Sequence, residues 1–359
     1  MQGLHTYALM GEAIGAAVLG ASGFTGGELV RLLHGHPGLE LRFLGGAGSV
    51  GQTLDEAQPH LGALDVGAMP IQAMEPAIVA TAADLVFSAL PSGSSAGLLP
   101  AVVEAGSRAI DLAGDFRLPA ADYPPWYGFD HPAPGWLDRS LYGLPELFAK
   151  RIADAALVAN PGCYATAMVL GCAPILEAGL AEPGPIRVDG KTGLSGAGRG
   201  AMEATSFAST EDAIRPYRFP GHQHTPEMER GLALATGLDV SVLFVPHLIP
   251  AVRGVVTTCY LPAAPGVTTE LLTSCLAGAY ELRPFVRVLP PGAMVDAKRT
   301  RGSNVVELQA VADPRTGTVV VIGALDNLVK GAAGQAIQNA NLMLGLPESV
   351  GLPTAGVWP

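Results

Sequence analysis

Gly15-Ala16-Ala17-Val18-Leu19-Gly20-Ala21-Ser22-Gly23-Phe24-Thr25-Gly26-Gly27-Glu28-Leu29-Val30-Arg31-Leu32-Leu33 joins a short apolar run to a segment with apolar residues at helical spacing, through a turn rich in glycine. Ala16–Leu19 reads as a buried strand and Glu28–Leu33 as a helix. Glycines at such a junction let a pyrophosphate approach the backbone and meet the unpaired amides of a helix N-terminus. Gly20, Ser22, Gly23, Phe24, Thr25 and Gly26 are therefore candidate dinucleotide contacts. The spacing is GxxGxxG, not GxGxxG, so taken alone it fits an ordinary strand-to-helix turn equally well. Its place at the first βα junction favours the nucleotide.

Working outward, Leu39–Leu44, Leu85–Leu90 and Ala109–Leu112 read as further strands, with a helix over Leu98–Ala105. This alternation predicts a Rossmann-like parallel sheet covered on both faces. From Ile186 the texture changes to longer β-rich runs, Ile186–Asp189, Val240–Val245, Val255–Leu261, Val305–Leu308 and Val319–Gly323, which predict an α+β domain with a mixed or antiparallel sheet. Asn327–Leu344 reads as one long helix. The expected fold class is α/β with domains at 1–159, 160–323 and 324–359. The last segment is expected to return to the first domain, an expectation that follows from the resemblance described below.

At 359 residues the chain exceeds the size at which one core usually stops growing. A net charge of -11 with no Lys/Arg cluster argues against nucleic acid as a partner. An anionic substrate must then be held by individual arginines. The 4 cysteines form no CxxC pair and read as reduced intracellular thiols, hence a cytoplasmic protein. Met1–Glu12 lacks a basic n-region and reads as a ragged leader, and no apolar run is long enough to span a membrane.

Asn160-Pro161-Gly162-Cys163-Tyr164-Ala165-Thr166-Ala167 carries the chemistry. Pro161-Gly162 turns sharply into an apolar helix, so Cys163 stands at a helix N-terminus, where amides and dipole are expected to lower its thiol pKa and make a nucleophile. Cys172, Cys259 and Cys275 lack that setting and read as small buried hydrophobes. Alternate residues on an extended segment share a side, so His222 and His224 would both line a site. Neither has Cys or carboxylate partners at ligand spacing, and no metal is expected. His34, His36, His60, His131 and His247 read as surface or capping residues.

NPGCYAT resembles the active-site signature of the N-acetyl-gamma-glutamyl-phosphate reductases, relatives of aspartate-semialdehyde dehydrogenase. ALPSG at Ala89–Gly93, GDFRL at Gly114–Leu118, YGLPEL at Tyr142–Leu147, DGKTGLSGAGR at Asp189–Arg199, HQHTPE at His222–Glu227, PHLIPAVRG at Pro246–Gly254 and LDNLVKGAAGQA at Leu325–Ala336 follow in the family's order. The resemblance implies an acyl-phosphate reductase that uses NADP, forms a thioester on Cys163, and relays protons through a histidine, His222 by position in the motif with His224 as second candidate. It implies Pro91 and Asn327 as further cofactor contacts. Arg117, Arg199 and Arg253 are candidates for the anionic ends of an acyl-phosphate substrate. Ser195 and Gly196, in the Gly193–Gly200 loop, are candidates to present amides to an oxyanion. The second strand ends in Leu44-Gly45-Gly46-Ala47-Gly48-Ser49, with neither an acid for a ribose 2′-hydroxyl nor an arginine for a 2′-phosphate, so the choice of NADP follows the resemblance. A homodimer or homotetramer is expected. Rival readings are the same chemistry on carrier-linked aminoadipyl phosphate or aspartyl phosphate, and a non-catalytic NADP sensor.

Overall fold

The computed structural model describes residues 13–200 and 203–359, so the expected leader Met1–Glu12 lies outside the described residues. They form two compact units. The first takes residues up to Phe116 with His131–Asn160 and Ala336–Leu352; the second takes Arg117–Asp130, Pro161–Gln335 and Pro353–Pro359.

In the first unit β1 (Ile14–Leu19), β2 (Leu39–Gly45), β3 (Ile71–Gln72), β4 (Leu85–Ser88), β5 (Arg108–Asp111), β6 (Ser140–Tyr142) and β7 (Leu157–Ala159) form a 7-stranded sheet in the order β3-β2-β1-β4-β5-β7-β6. Every pair is parallel. Strands covered on both faces are apolar without alternation, and β4 is buried throughout. The order reverses between β1 and β4, which makes the carboxyl ends of these strands the switch point where such sheets bind ligands. The helix Phe24–His34 leaves the quoted turn there, as the sequence predicts.

Side chains tie the C-terminal stretch to this unit. Asn339 Nδ2 donates to the Gly143 carbonyl at 2.8 Å and to Asn160 Oδ1 at 3.0 Å, and Arg108 donates to the Met343 carbonyl. Of the expected surface or capping histidines, His36 and His131 are the capping kind, buried at 6 % and 7 % exposed. His36 Nδ1 accepts from the Gly38 amide and its Nε2 meets Asn341 Oδ1, while His131 Nδ1 accepts from the Ala133 amide and its Nε2 meets the Asp115 carbonyl. Each ring satisfies polar groups that would otherwise be buried unpaired.

In the second unit β8 (Ile186–Thr192), β9 (Arg215–Pro216), β10 (Val242–Leu248), β11 (Val255–Pro262), β12 (Val286–Val288), β13 (Val306–Asp313) and β14 (Thr318–Leu325) make a mixed sheet ordered β12-β13-β14-β11-β8-β10-β9. β8 and β10, and β12 and β13, pair in parallel; the remaining pairs are antiparallel. One face alternates inward along β11 and packs on the helix Cys163–Glu177, whose Tyr164–Leu176 stretch is entirely buried. A helix apolar on all sides needs cover all round, and the His224–Thr236 helix supplies part of it. Gly162 caps the helix in extended conformation at ψ 152, and Gly179 at φ +65 ends it.

The run Asn327–Leu344 is not one regular helix. It opens with a wide turn, Val329–Ala333, in which the Gly331 and Ala333 amides reach back to the Asp326 and Leu328 carbonyls, and only then becomes the helix Gly334–Met343. Among the described residues no helix is long and apolar enough to cross a membrane.

Candidate active site

In the first unit the glycines of the turn have separable causes. Gly20 has φ +85, and a Cβ on it would lie 2.5 Å from the Ala89 carbonyl oxygen; one on Gly26 would lie 2.1 Å from the Gly20 oxygen. Both are required by the protein itself. A Cβ on Gly23 meets no described atom closer than 3.4 Å, so the protein's own packing does not account for glycine there. Gly23 is the N-cap of the Phe24–His34 helix, with no side-chain cap and no acid in the first turn. By contrast, the Ser95–Glu104 helix after β4 is occupied by its own chain: buried Asp115 accepts from the amides of Gly93 at 2.8 Å and Ala96 at 2.9 Å. One helix end at the switch point is thus left for an external anion and the other is not, which fits a dinucleotide pyrophosphate.

Sequence reasoning missed the residues that hold this turn. Gln58 Nε2 donates to the carbonyls of Ala21 at 3.1 Å and Gly23 at 2.8 Å, and Ser49 donates to Ser22 Oγ at 3.1 Å. Where an acid would accept a ribose hydroxyl, this strand end therefore offers hydroxyls that an additional phosphate tolerates. Pro91 is exposed just beyond β4, and its carbonyl accepts from the Ser94 amide.

In the second unit Cys163 is the first residue of its helix and partly exposed. His224 packs directly on the preceding residue: a Cβ on Gly162 would lie 2.4 Å from His224 Nε2. One helical turn further, fully buried Glu227 accepts from the Gly162 amide at 2.7 Å through Oε1 and from Arg117 Nη1 at 3.0 Å through Oε2, which also lies 4.0 Å from His224 Nε2. From the Val329–Ala333 turn, Gly331 packs so closely on Cys163 that a Cβ there would lie 2.6 Å from Cys163 Cβ. Wide helical turns of this kind are frequent at functional sites.

His222 and His224 do come together, with ring centroids 4.8 Å apart, but not by strand alternation. His224 opens a helix and the Gln223 backbone is already helical; His222 Nδ1 accepts the His224 amide at 3.1 Å. That bond makes His222 a capping side chain and leaves His224 as the ring lying on Gly162, the residue before Cys163.

The expectation of a lowered thiol pKa fails. Burial pushes Cys163 up to about 12 and the Glu227 carboxylate adds to it, outweighing the Tyr164 and Cys163 amides and the Arg117 charge. A helix end contributes only about 0.3–1 kcal/mol, less than desolvation of a thiolate costs. Burial, then the charges of Arg117 and Arg218, hold His224 down to about 3; burial, then His224 and Arg218, hold His222 down to about 2. At neutral pH the site therefore holds a thiol and neutral imidazoles.

These shifts predict acid sensitivity. Both imidazoles have folded pKa values below 6.5, so the unfolded chain binds protons that the folded chain refuses. Stability is complete above that value and falls as pH drops toward 3, with a limiting slope of about 2.7 kcal/mol per pH unit for two groups. Melting temperatures between pH 7 and 5 should fall more steeply for the parent protein than for a His222→Asn, His224→Asn variant; equal slopes would contradict the assignment.

The other expected residues separate. Arg117 is 5 % exposed and pairs with Glu227 inside the protein. Arg253 pairs with Asp326 at 3.5 Å. Arg199 is exposed. The amides of Gly193, Leu194, Ser195, Gly196 and Gly198 donate to Gly254, Ala251, Val252, Gly193 and Ser195 carbonyls, so the loop does not present them to an oxyanion. Asn327 is 4 % exposed; its Nδ2 donates to Ser195 Oγ at 2.9 Å and its Oδ1 accepts from the Gly254 amide at 2.7 Å, tying two loops together. Arg218, which sequence reasoning passed over, is exposed at φ +47, donates to Gln223 Oε1 at 3.0 Å, and depresses both imidazoles by its charge. A long side chain held in the left-handed region is a strained conformation of the kind that clusters at functional sites.

Residues 15–155 match the family model described as semialdehyde dehydrogenase, NAD binding domain, and residues 163–327 the one described as semialdehyde dehydrogenase, dimerisation domain. The chain is 43 % identical over 351 residues to an N-acetyl-gamma-glutamyl-phosphate reductase of Magnetococcus marinus, covering 98 % of this chain and 100 % of that one. It is 45 % identical over 349 residues to a protein of the same name from Symbiobacterium thermophilum, covering 96 % and 99 %. Among solved structures, aspartate semialdehyde dehydrogenase II of Vibrio cholerae superposes with a TM-score of 0.71 at 18 % identity, over 93 % of this chain and 99 % of that one. The Candida albicans enzyme with NADP gives 0.69 at 18 % over 93 % and 99 %. At that identity the likeness shows the two-domain α/β fold alone.

Proposed function

Because the chain belongs to the N-acetyl-gamma-glutamyl-phosphate reductase family, we propose that it catalyses the NADPH-dependent reduction of N-acetyl-L-glutamyl 5-phosphate to N-acetyl-L-glutamate 5-semialdehyde and phosphate, in arginine biosynthesis. The observation that carries the mechanism is the junction of Cys163, His224 and Glu227 about Gly162. As the Cys163 sulfur attacks the acyl carbonyl, His224 takes its proton; the bond from carbon to phosphate oxygen breaks, the phosphate leaves with that proton, and a thioester remains on Cys163. Glu227 does not touch the reacting atoms. It fixes His224 and the Gly162 amide and stabilises the imidazolium that forms. When bound, NADPH supplies the hydride that reduces the acyl group. Collapse of the Cys163 thiohemiacetal then frees the aldehyde, and the sulfur regains a proton from solvent.

Gly20, Ser22, Gly23, Phe24, Thr25 and Gly26, with Ser49 beside them, would hold the cofactor's phosphates. With Arg117 and Arg253 paired to internal carboxylates, Arg218 is the cation this reading places on the substrate phosphate. Arg218→Ala should raise KM for the acyl phosphate about tenfold or more while changing kcat less. An unchanged KM would remove Arg218 from the site.

The substrate is tested in the reverse direction, with phosphate and NADP. N-acetylglutamate semialdehyde should be turned over; turnover of aspartate semialdehyde in its place would overturn the assignment. The reading includes a homodimer or homotetramer, supported by the dimerisation description of the matched family and by Leu243, Tyr260 and Val311, which are 50 %, 39 % and 36 % exposed on the outer face of the mixed sheet. A single-copy mass in sedimentation would contradict it. It also includes a cytoplasmic location, in keeping with four free cysteines, which cell fractionation would check.

A further inference from the structure

A buried side-chain hydrogen bond joins the Cys163–Glu177 helix to the chain that follows the Val329–Ala333 turn, and the reaction described above does not use it. Gln335 Nε2 donates to Thr166 Oγ1 at 2.8 Å, and both residues are 0 % exposed. Thr166 stands one helical turn after Cys163, and its amide closes that turn by donating to the Gly162 carbonyl at 2.9 Å. Gln335 stands in the first turn of the helix Gly334–Met343, immediately beyond the wide turn. The wide turn is also fixed at its start. The Asp326 carbonyl accepts the Val329 amide at 3.2 Å and the Gly331 amide at 2.9 Å, and Asp326 Oδ1 accepts the Leu328 amide at 2.8 Å. Gly331 therefore lies between two anchors, Asp326 before it and Gln335 after it, at the point where a Cβ would lie 2.6 Å from Cys163 Cβ. Packing alone does not call for a polar pair here. Threonine is a poor helix former in the apolar run Ala165–Leu176, two apolar side chains of the same shape would fill the space, and a neutral hydrogen bond adds little net stability. What the bond does supply is one defined register, where apolar surfaces alone would be free to slide.

We infer that Thr166 and Gln335 are positioning residues for the nucleophile: their hydrogen bond locks the first turn of the Cys163 helix to the turn that carries Gly331, and so holds the Cys163 side chain where its attack on the acyl carbonyl is productive. Neither residue touches substrate, since both are sealed from solvent. Because Gly331 and Cys163 are packed without slack, a shift of one element against the other is passed on to the Cys163 side chain, and close-packed interiors transmit such shifts instead of absorbing them. A displacement of about 1 Å at a reacting atom lowers a rate about a hundredfold.

The inference rests on Cys163 being the nucleophile of the reaction proposed above, and the test keeps the two apart. It compares Thr166→Val, Thr166→Ser and a Thr166→Val, Gln335→Met double variant of the full chain. Valine keeps the shape of threonine and removes the hydroxyl, whereas serine keeps the hydroxyl and removes a methyl, so packing and positioning predict opposite orders of damage. Thr166→Val should lower kcat at least about tenfold with KM for the acyl phosphate and for NADPH within about twofold of the parent, and Thr166→Ser should keep kcat within about threefold. The double variant leaves neither polar partner buried alone, so it should recover the melting temperature that Thr166→Val loses and still show the lowered kcat. Alkylation of Cys163 by iodoacetamide at pH 8 should be at least about threefold faster in Thr166→Val and in the double variant, because a loosened turn admits water to a thiol whose pKa is raised by burial, and unchanged in Thr166→Ser. A kcat that follows melting temperature through the series, with Thr166→Ser below Thr166→Val, or parent-like turnover in the double variant would overturn the positioning role. If N-acetylglutamyl phosphate proves inert with the parent protein, the reading of the substrate fails, and the alkylation rates still decide the positioning: equal rates in parent and double variant overturn it. Should Thr166→Val fail to fold, the double variant and Thr166→Ser carry the same comparison.

Discussion

Cys163→Ser is expected to lower kcat by about four orders of magnitude or more while leaving NADPH affinity unchanged. The hydroxyl that replaces the thiol is a far weaker acid and a poorer nucleophile, and an oxygen ester is less readily reduced than a thioester. Because Cys163 is already a neutral thiol in the folded protein, the loss does not come from removing a charge that holds the site together. Steady-state rates with a fluorescence titration of NADPH decide it. Parent-like turnover would leave a nucleotide-binding protein whose chemistry lies elsewhere.

Glu227→Gln is expected to move two readouts in opposite directions. Turnover should fall about a hundredfold, because a neutral amide does not stabilise the imidazolium that His224 becomes. Alkylation of Cys163 by iodoacetamide at pH 8 should instead become faster. The Glu227 carboxylate raises the thiol pKa and Arg117 lowers it, so removing the carboxylate's charge leaves an unanswered cation beside the sulfur and increases the thiolate fraction. The buried Arg117 that loses its ion pair costs about 3 kcal/mol of stability, which leaves a typical domain folded. In the parent protein the alkylation rate should climb about tenfold per pH unit from 7 to 9 without a plateau, as a thiol pushed up to about 12 requires. A plateau below pH 8, or slower alkylation in the variant, would contradict the thiol-and-neutral-imidazole ground state.

What was legible in the sequence divides along physical lines. β1 and the turn after it could be read because a buried strand, glycines and a helix follow one another within a single local window. β3 and β9, two residues each, and the three-residue β6, β7 and β12 show no period and exist only because neighbouring strands recruit them. Cys163 was legible because Pro161-Gly162 and the apolar run mark a helix start. Its ionisation was not, because the groups that desolvate it come from the His224–Thr236 helix and the Val329–Ala333 turn, far away in sequence. Glu227 carries a visible signal, an i,i+3 spacing from His224, but only once that segment is known to be a helix; read as extended, it puts the carboxylate on the wrong side. Arg117 and Arg253 show the complementary limit of a sequence reading. An arginine in a motif looks like a hand for substrate, and only the fold reveals the carboxylate already in it.

The thioester is where the account is most exposed. Protein mixed with N-acetylglutamyl phosphate in the absence of NADPH and quenched in acid should carry one N-acetylglutamyl group on the peptide containing Cys163, labile to hydroxylamine and absent from Cys163→Ser. An unmodified Cys163 peptide, or the acyl group on another residue, would contradict the reaction described here.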